Sequence, residues 1–160
     1  MVVQLEKVVN IGQGYENWGK AIKEVEDIGV KVLVENTAGG KNSVARYMDS
    51  IERLWEVIGH LNVGLCLDTC HTWAGGIPTI EAVKGFKKLV KKIDLIHFND
   101  SKDGFESSRD RHENLGKGQI PKEQLEYVIK NAKTDIIVET PNGPDAQKKD
   151  IAWIKRRLKK

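Results

Sequence analysis

The sequence predicts an α/β fold, a partial (β/α) barrel of about four to five βα units with parallel strands. Three observations carry that prediction. Helical and strand-like segments alternate along nearly the whole chain, the strand-like segments are apolar throughout, and four of them end on a residue able to hold a metal: Glu35, Asp68, His97 and Glu139. Apolar strands separated by helices belong to parallel sheets covered on both faces or closed into a barrel. In a (β/α) barrel, residues just past the strand ends converge on one face, where such folds build their chemistry. A complete eight-stranded barrel takes roughly 250 residues, so the 160 residues of this chain make about half to five-eighths of one.

The elements follow in order. A weak strand signal lies near Lys7 to Ile11. Trp18, Ala21, Ile22, Val25 and Ile28 recur at helical spacing, Gly29 stops the run, and Val30 to Glu35 reads as a short β-branched strand. Asn42 or Ser43 then caps an amphipathic helix with the stripe Val44, Tyr47, Met48, Ile51, Leu54, Trp55 and Ile58, closed by Gly59. Strand Asn62 to Leu67 comes next. A helix from Thr79 to Lys92 turns Ile80, Val83, Phe86, Leu89 and Val90 inward and keeps its lysines in water, and Ile93 to Phe98 is the third strand. Asn99 to Ile120 breaks the rhythm, and loops of that length are usually functional or disordered. Pro121 opens a helix bearing Leu125, Val128 and Ile129. Asp135 to Glu139 is the fourth clear strand, and a last helix runs from about Pro144 into the basic stretch Lys155 to Lys160. No linker or low-complexity segment interrupts this order, so residues 1–160 read as a single domain.

Composition narrows the class. Apolar and charged contents are those of an ordinary globular chain with a real core. A net charge of +3 and a pI near 8.8 suit an anionic partner without demanding one. No run approaches the roughly 20 apolar residues of a membrane span, and the start lacks the layout of a secretion signal, so a cytoplasmic protein with no membrane partner is expected. Cys66 and Cys70 cannot form a disulfide framework, and their spacing departs from that of zinc ribbons; they read as reduced thiols on or near a buried strand.

The residues that carry chemistry surround the strand ends. Asp68 closes a strand and His71 follows inside the next turn; His97 sits in an apolar strand; Asp110 and His112 stand together in the long loop. Taken singly, each has a bland explanation: a turn cap, a hydrogen-bonded core imidazole, a solvated loop, a helix cap for Glu35 or Glu139. A carboxylate entering a barrel mouth is nonetheless costly unless it is paired. One multi-metal cluster accounts for all seven groups at once, whereas the bland explanations must be invoked separately at each strand.

The blocks Val-Glu-Asn-Thr-Ala-Gly (34 to 39), Cys-Leu-Asp-Thr-Cys-His (66 to 71), His-Phe-Asn-Asp-Ser-Lys (97 to 102), Asp-Arg-His-Glu-Asn-Leu-Gly (110 to 116) and Val-Glu-Thr-Pro (138 to 141) resemble, in that order, the endonuclease IV family of apurinic/apyrimidinic endonucleases. The resemblance covers nearly the whole chain and corresponds to the C-terminal part of that family's TIM barrel. It implies a zinc-dependent DNA repair enzyme that hydrolyses the phosphodiester 5′ to an abasic site in double-stranded DNA with three zinc ions. Carried over by motif, Glu35, Asp68, His97 and Glu139 form one zinc environment, and His71, Asp110 and His112 another. Glu35 also reaches toward a third ion and, as the catalytic residue, orients or deprotonates the attacking water. In the family the third zinc is completed by two upstream histidines, but this sequence has no histidine before His60 and offers Asn10 in the corresponding region. The resemblance therefore implies two zinc positions mostly retained and one without its own ligands.

Lys102, Arg111 and Lys117 lie in the same loops and are expected to touch phosphates. An open barrel exposes two sheet edges, which predicts self-association or pairing with a missing N-terminal half-barrel. Two other readings compete: a metal-dependent TIM-barrel sugar isomerase or epimerase, and a non-catalytic metal- and DNA-binding or assembly module.

Overall fold

The computed structural model describes residues 1–3, 10–40 and 43–159. In chain order its elements are β1 (Val2–Val3), α1 (Ile11–Glu24), β2 (Val32–Glu35), α2 (Met48–Ile58), β3 (Val63–Asp68), α3 (Thr69–Gly75), α4 (Thr79–Leu89), β4 (Leu95–His97), β5 (Asp100–Ser101), β6 (His112–Glu113), α5 (Lys122–Asn131), β7 (Asp135–Ile137) and α6 (Gly143–Leu158). Five strands make one parallel sheet in the order β1-β2-β3-β4-β7, and β5 and β6 pair separately as an antiparallel ribbon. The expected partial barrel, with helices alternating between parallel strands, is what the chain forms.

The strand alternation assigns the two faces of the sheet. Val32, Val34, Leu65, Leu67 and Ile96 belong to the buried clusters completed by the helices. The alternate positions, Leu33 and Glu35, Cys66 and Asp68, Leu95 and His97, fall on the opposite face, and register pairs Glu35 with Cys66 and Asp68 with His97. That second face ends at Ile137 on the outermost strand, 47 % exposed.

Several boundaries differ from the sequence expectation. Among the described residues, a fifth strand is Val2–Val3, paired with β2; the expected weak strand near Lys7 to Ile11 falls largely outside them. Of that stretch, residues 7–9 lie outside the described residues, Asn10 is the N-cap of α1, its side chain accepting from the Gly12 amide at 2.8 Å, and Ile11 is the first helical residue. α1 consequently starts early and stops at Glu24, leaving Ile28 exposed beyond it. α2 begins at Met48, not after residue 42 or 43; Asn42 lies outside the described residues, and Ser43 contacts the Thr37 hydroxyl instead of capping a helix. Val44 and Ala45 are buried in a non-helical segment tied to the end of β2 by the Thr37 amide bonding the Ala45 carbonyl at 2.8 Å. The turn after β3 is a helix, α3, capped by Asp68 and ended by left-handed Gly76.

The long Asn99 to Ile120 segment is organised by one buried acid. The Asp100 carboxylate accepts from the amides of Ser101, Gly116, Gly118 and Ile120 at 2.8 to 3.1 Å. Gly118 lies so close that a Cβ there would collide with the Asp100 carboxylate and the Ser101 carbonyl. This folds the loop back over α3 and sets the ribbon beside the strand ends. Among the described residues, no helix is long and apolar enough to cross a membrane.

Candidate metal centre

Parallel register puts Glu35, Asp68 and His97 on one face, at the rim where neighbouring strands end, with Asp68 level with His97 and Glu35 one same-face step earlier, beside Cys66. Glu139, two residues past β7, turns onto the same rim. One donor atom from each of Glu35, Asp68, His97 and Glu139 lies within 4.8 Å of the others. His97 Nδ1 stands 2.9 Å from Glu35 Oε1 and 3.1 Å from Glu139 Oε2.

A second group adjoins the first. Asp68 caps α3, its Oδ1 accepting from the His71 amide at 2.7 Å, which places the His71 ring one turn into the helix. The β5–β6 ribbon brings Asp110 and His112 against that ring. His71 Nε2 and His112 Nε2 approach the same oxygen, Asp110 Oδ1, at 3.0 and 3.1 Å, and the two rings are 5.6 Å apart. Asp68 belongs to both groups: it is part of the rim set and also lies within ligand range of His71 and His112, with Oδ2 3.7 Å from His112 Nε2.

Donor chemistry and orientation fit a divalent metal of the zinc type. The Asn36 carbonyl lies 2.9 Å from His71 Nδ1, and the Glu139 carbonyl 3.2 Å from His112 Nδ1. A carbonyl only accepts, so Nδ1 carries the proton in both rings and Nε2 is turned toward Asp110, the arrangement by which outer hydrogen bonds orient histidine ligands. Oxygen and imidazole donors of this kind hold zinc.

Four carboxylates faced by three imidazoles also make the site a trap for positive charge. Burial works against a charged His71, but the Asp68 charge, the Asp110 hydrogen bond and the Glu35 charge push its pKa up to about 10. His112 is pushed up to about 8 against the same burial, by Asp110 and Asp68, and His97 is raised by Glu35 and Glu139. The hydrogen bonds from His112 and His71 hold the Asp110 carboxyl well below the usual carboxylate range. The same carboxylates favour the protonated form of the three imidazoles.

All seven expected ligands thus meet, while His60 lies exposed just beyond α2, apart from them. Sequence reasoning missed the residues that orient the ligands. The Asn36 side chain makes a reciprocal pair with the Asp68 backbone, at 3.2 and 2.9 Å. Asn99, fully buried, donates to Asp68 Oδ2 at 2.7 Å and accepts from the Glu139 amide at 2.9 Å. Both asparagines follow a strand end within the quoted blocks, and that placement was the available signal. It missed the thiols too: Cys66 falls within ligand range of Glu35 and His97, and Cys70 of Asp110 and His112. Of the basic residues, Arg111 closes on Asp103 through two hydrogen bonds, Lys102 is exposed just past β5, and Lys117 lines a groove of about 430 Å³ beside α6 with Asn114, Asn142 and Trp153.

Comparison with known proteins identifies the family and the fold. The sequence profile of the xylose isomerase-like TIM barrel family matches residues 6–157. A protein of Mycobacterium ulcerans (strain Agy99) named "Probable endonuclease 4" is 44% identical over 149 residues, covering 93% of this chain and 58% of that protein. Its namesake in Mycobacterium bovis (strain BCG / Pasteur 1173P2) is 46% identical over 148 residues, with 92% and 58% covered. Among solved structures, endonuclease IV from Thermus thermophilus matches with a TM-score of 0.73 and 28% identity over 94% of this chain and 58% of that one. A D-tagatose 3-epimerase-like protein matches with a TM-score of 0.69 at 19% identity over 99% and 61%, a likeness of fold alone. The chain spans 58% of the length of the curated relatives it matches.

Proposed function

The chain belongs to the xylose isomerase-like TIM barrel family, and we propose that it carries the larger part of the centre of a zinc-dependent DNA repair endonuclease, hydrolysing the phosphodiester 5′ to abasic sites in double-stranded DNA. The observation that supports this most is the shared position of Asp68, which joins the rim group to the His71, Asp110 and His112 group. A single-metal sugar isomerase has no evident need for the second group. The relatives named endonuclease 4 support the same reading.

In this reading Glu35, Asp68, His97 and Glu139 hold one ion, and His71, Asp110 and His112 another. Zinc bound there supplies Lewis-acid polarisation of a phosphate oxygen and activation of water near neutral pH. The chain's own groups do the rest. Glu35, almost wholly buried and 2.9 Å from His97 Nδ1, is the catalytic carboxylate that orients the attacking water and accepts its proton. Asn99 and the Asn36 and Glu139 carbonyls hold Asp68 and the two imidazoles in place. Lys102 offers an exposed ammonium to the DNA backbone, with Lys117 and Arg111 in the same loops. Residues 1–160 act as one domain of the cytoplasm, an incomplete barrel whose edges β1 and β7 pair with an N-terminal half-barrel or with a second copy.

Metal analysis combined with incision of a duplex carrying one abasic site tests the proposal, using this chain alone and with an N-terminal half-barrel supplied in trans. Two zinc ions per chain and 5′ incision, at least in the supplemented reaction, are expected. A folded sample that binds no zinc overturns it. Retained zinc with no incision in either reaction favours a non-catalytic metal- and DNA-binding module, a reading supported by the chain's spanning only 58% of its relatives.

A further inference from the structure

We propose that Cys66 gives the rim group a second, softer metal site, in which its thiolate joins Glu35 and His97 to take thiophilic divalent ions such as cadmium. The inference rests on the metal-holding reading of Glu35 and His97. Cys66 is the register partner of Glu35 across β2 and β3 and lies two residues before Asp68, on the same face of its strand. Its sulfur, a Glu35 oxygen and a His97 ring nitrogen all lie within 4.8 Å of one another. Leu65 and Leu67, on either side, point into the buried core under the helices, so the thiol is set on the metal face rather than among the core side chains.

The two donor sets differ in character and overlap in membership. Glu35, Asp68, His97 and Glu139 offer only oxygen and nitrogen, whereas Glu35, Cys66 and His97 include sulfur. Thiolate ligands select soft ions, and carboxylates suit harder ones. Because both sets need Glu35 and His97, a soft ion bound through Cys66 excludes a harder ion from the rim. Binding breaks the S–H bond, forms a sulfur–metal bond and releases the proton to solvent. Cys70 provides a contrast within the same chain: it also has an acid and an imidazole in reach, but its thiol is directed at the Arg111 carbonyl, 3.7 Å away.

The test is titration of the chelator-stripped chain with cadmium, following the ultraviolet charge-transfer absorption of a thiolate–cadmium bond, with zinc content measured on a parallel sample. The parent should develop the band, Cys70→Ala should keep it, and Cys66→Ala, which preserves a small apolar side chain, should lose it. Glu35→Gln leaves the sulfur in place and should weaken cadmium binding at least about tenfold, because even ligand-orienting partners contribute that much. Circular dichroism of each variant confirms that it is folded. A parent that binds zinc but shows no band, or a band lost only in Cys70→Ala, overturns the inference and leaves the zinc reading standing. A parent that binds neither ion overturns both.

Discussion

The two ligand groups are held in different ways. The rim group is fixed by a parallel ladder: Glu35, Asp68 and His97 end neighbouring strands on one face, Asp68 paired with His97 and Glu35 with Cys66 just before them. The second group depends on irregular chain, with His71 on a short helix, His112 on a two-stranded ribbon and Asp110 in the loop just before it, the ribbon's position being set by the buried Asp100. A ladder positions side chains as a by-product of forming the sheet, whereas a loop needs a dedicated scaffold of hydrogen bonds. The second group should therefore be the easier of the two to dismantle, and Asp68, common to both, the residue on which both depend.

Substitution of Asp68 should have the largest effect. Asp68→Ala removes a donor from both groups and the N-cap of α3, so metal analysis should find both ions lost, with a further cost of about 1 kcal/mol from the cap in urea denaturation. Retention of either ion at full occupancy would break the idea of a shared carboxylate. Asp100→Ala comes next. Four amides lose a buried charged acceptor, at a cost of about 3 kcal/mol, and the ribbon should loosen so that the second ion is lost while the rim ion stays. Equal loss of both ions would mean that the two groups are not separately scaffolded.

His112→Ala is more local: zinc stoichiometry should fall by the second ion, and His60→Ala should leave it unchanged. The smallest effect concerns protons. The folded-state pKa of His71, about 10, lies above the ordinary value of 6.5, so its contribution to metal-free stability is full below about pH 6.5 and is lost as pH rises toward about 10. Zinc binding runs the opposite way across that window, since the ligand must be deprotonated. Thermal melts with and without zinc should diverge as pH rises from 6.5, and the divergence should shrink in His71→Ala.

The same contrast explains what was legible in the sequence. Strands of a parallel sheet carry their own signal, so β2, β3, β4 and β7 and the ligands at their ends could be placed by pattern, to within two residues at each boundary. The helical stripe misled at Val44, which is apolar and buried because it packs in a non-helical segment tied to Thr37, and at Ile28, which is apolar but exposed. Neither burial nor helicity at those positions follows from local spacing. His71, Asp110 and His112 were legible as acid–imidazole pairs, and the motif resemblance sorted them into one group; periodicity could not place them, because amides bonding to the Asp100 carboxylate position the ribbon. Asn36 and Asn99 were overlooked although they adjoin the ligands, since an asparagine after a strand ordinarily signals a turn.

Anomalous diffraction at the zinc edge from crystals of the zinc-loaded chain tests the central claim most directly. Two peaks are predicted, one bounded by Glu35, His97 and Glu139 and the other by His71, Asp110 and His112, with the Asp68 carboxylate between them. A single peak, or a second one away from these residues, would contradict a shared two-group centre.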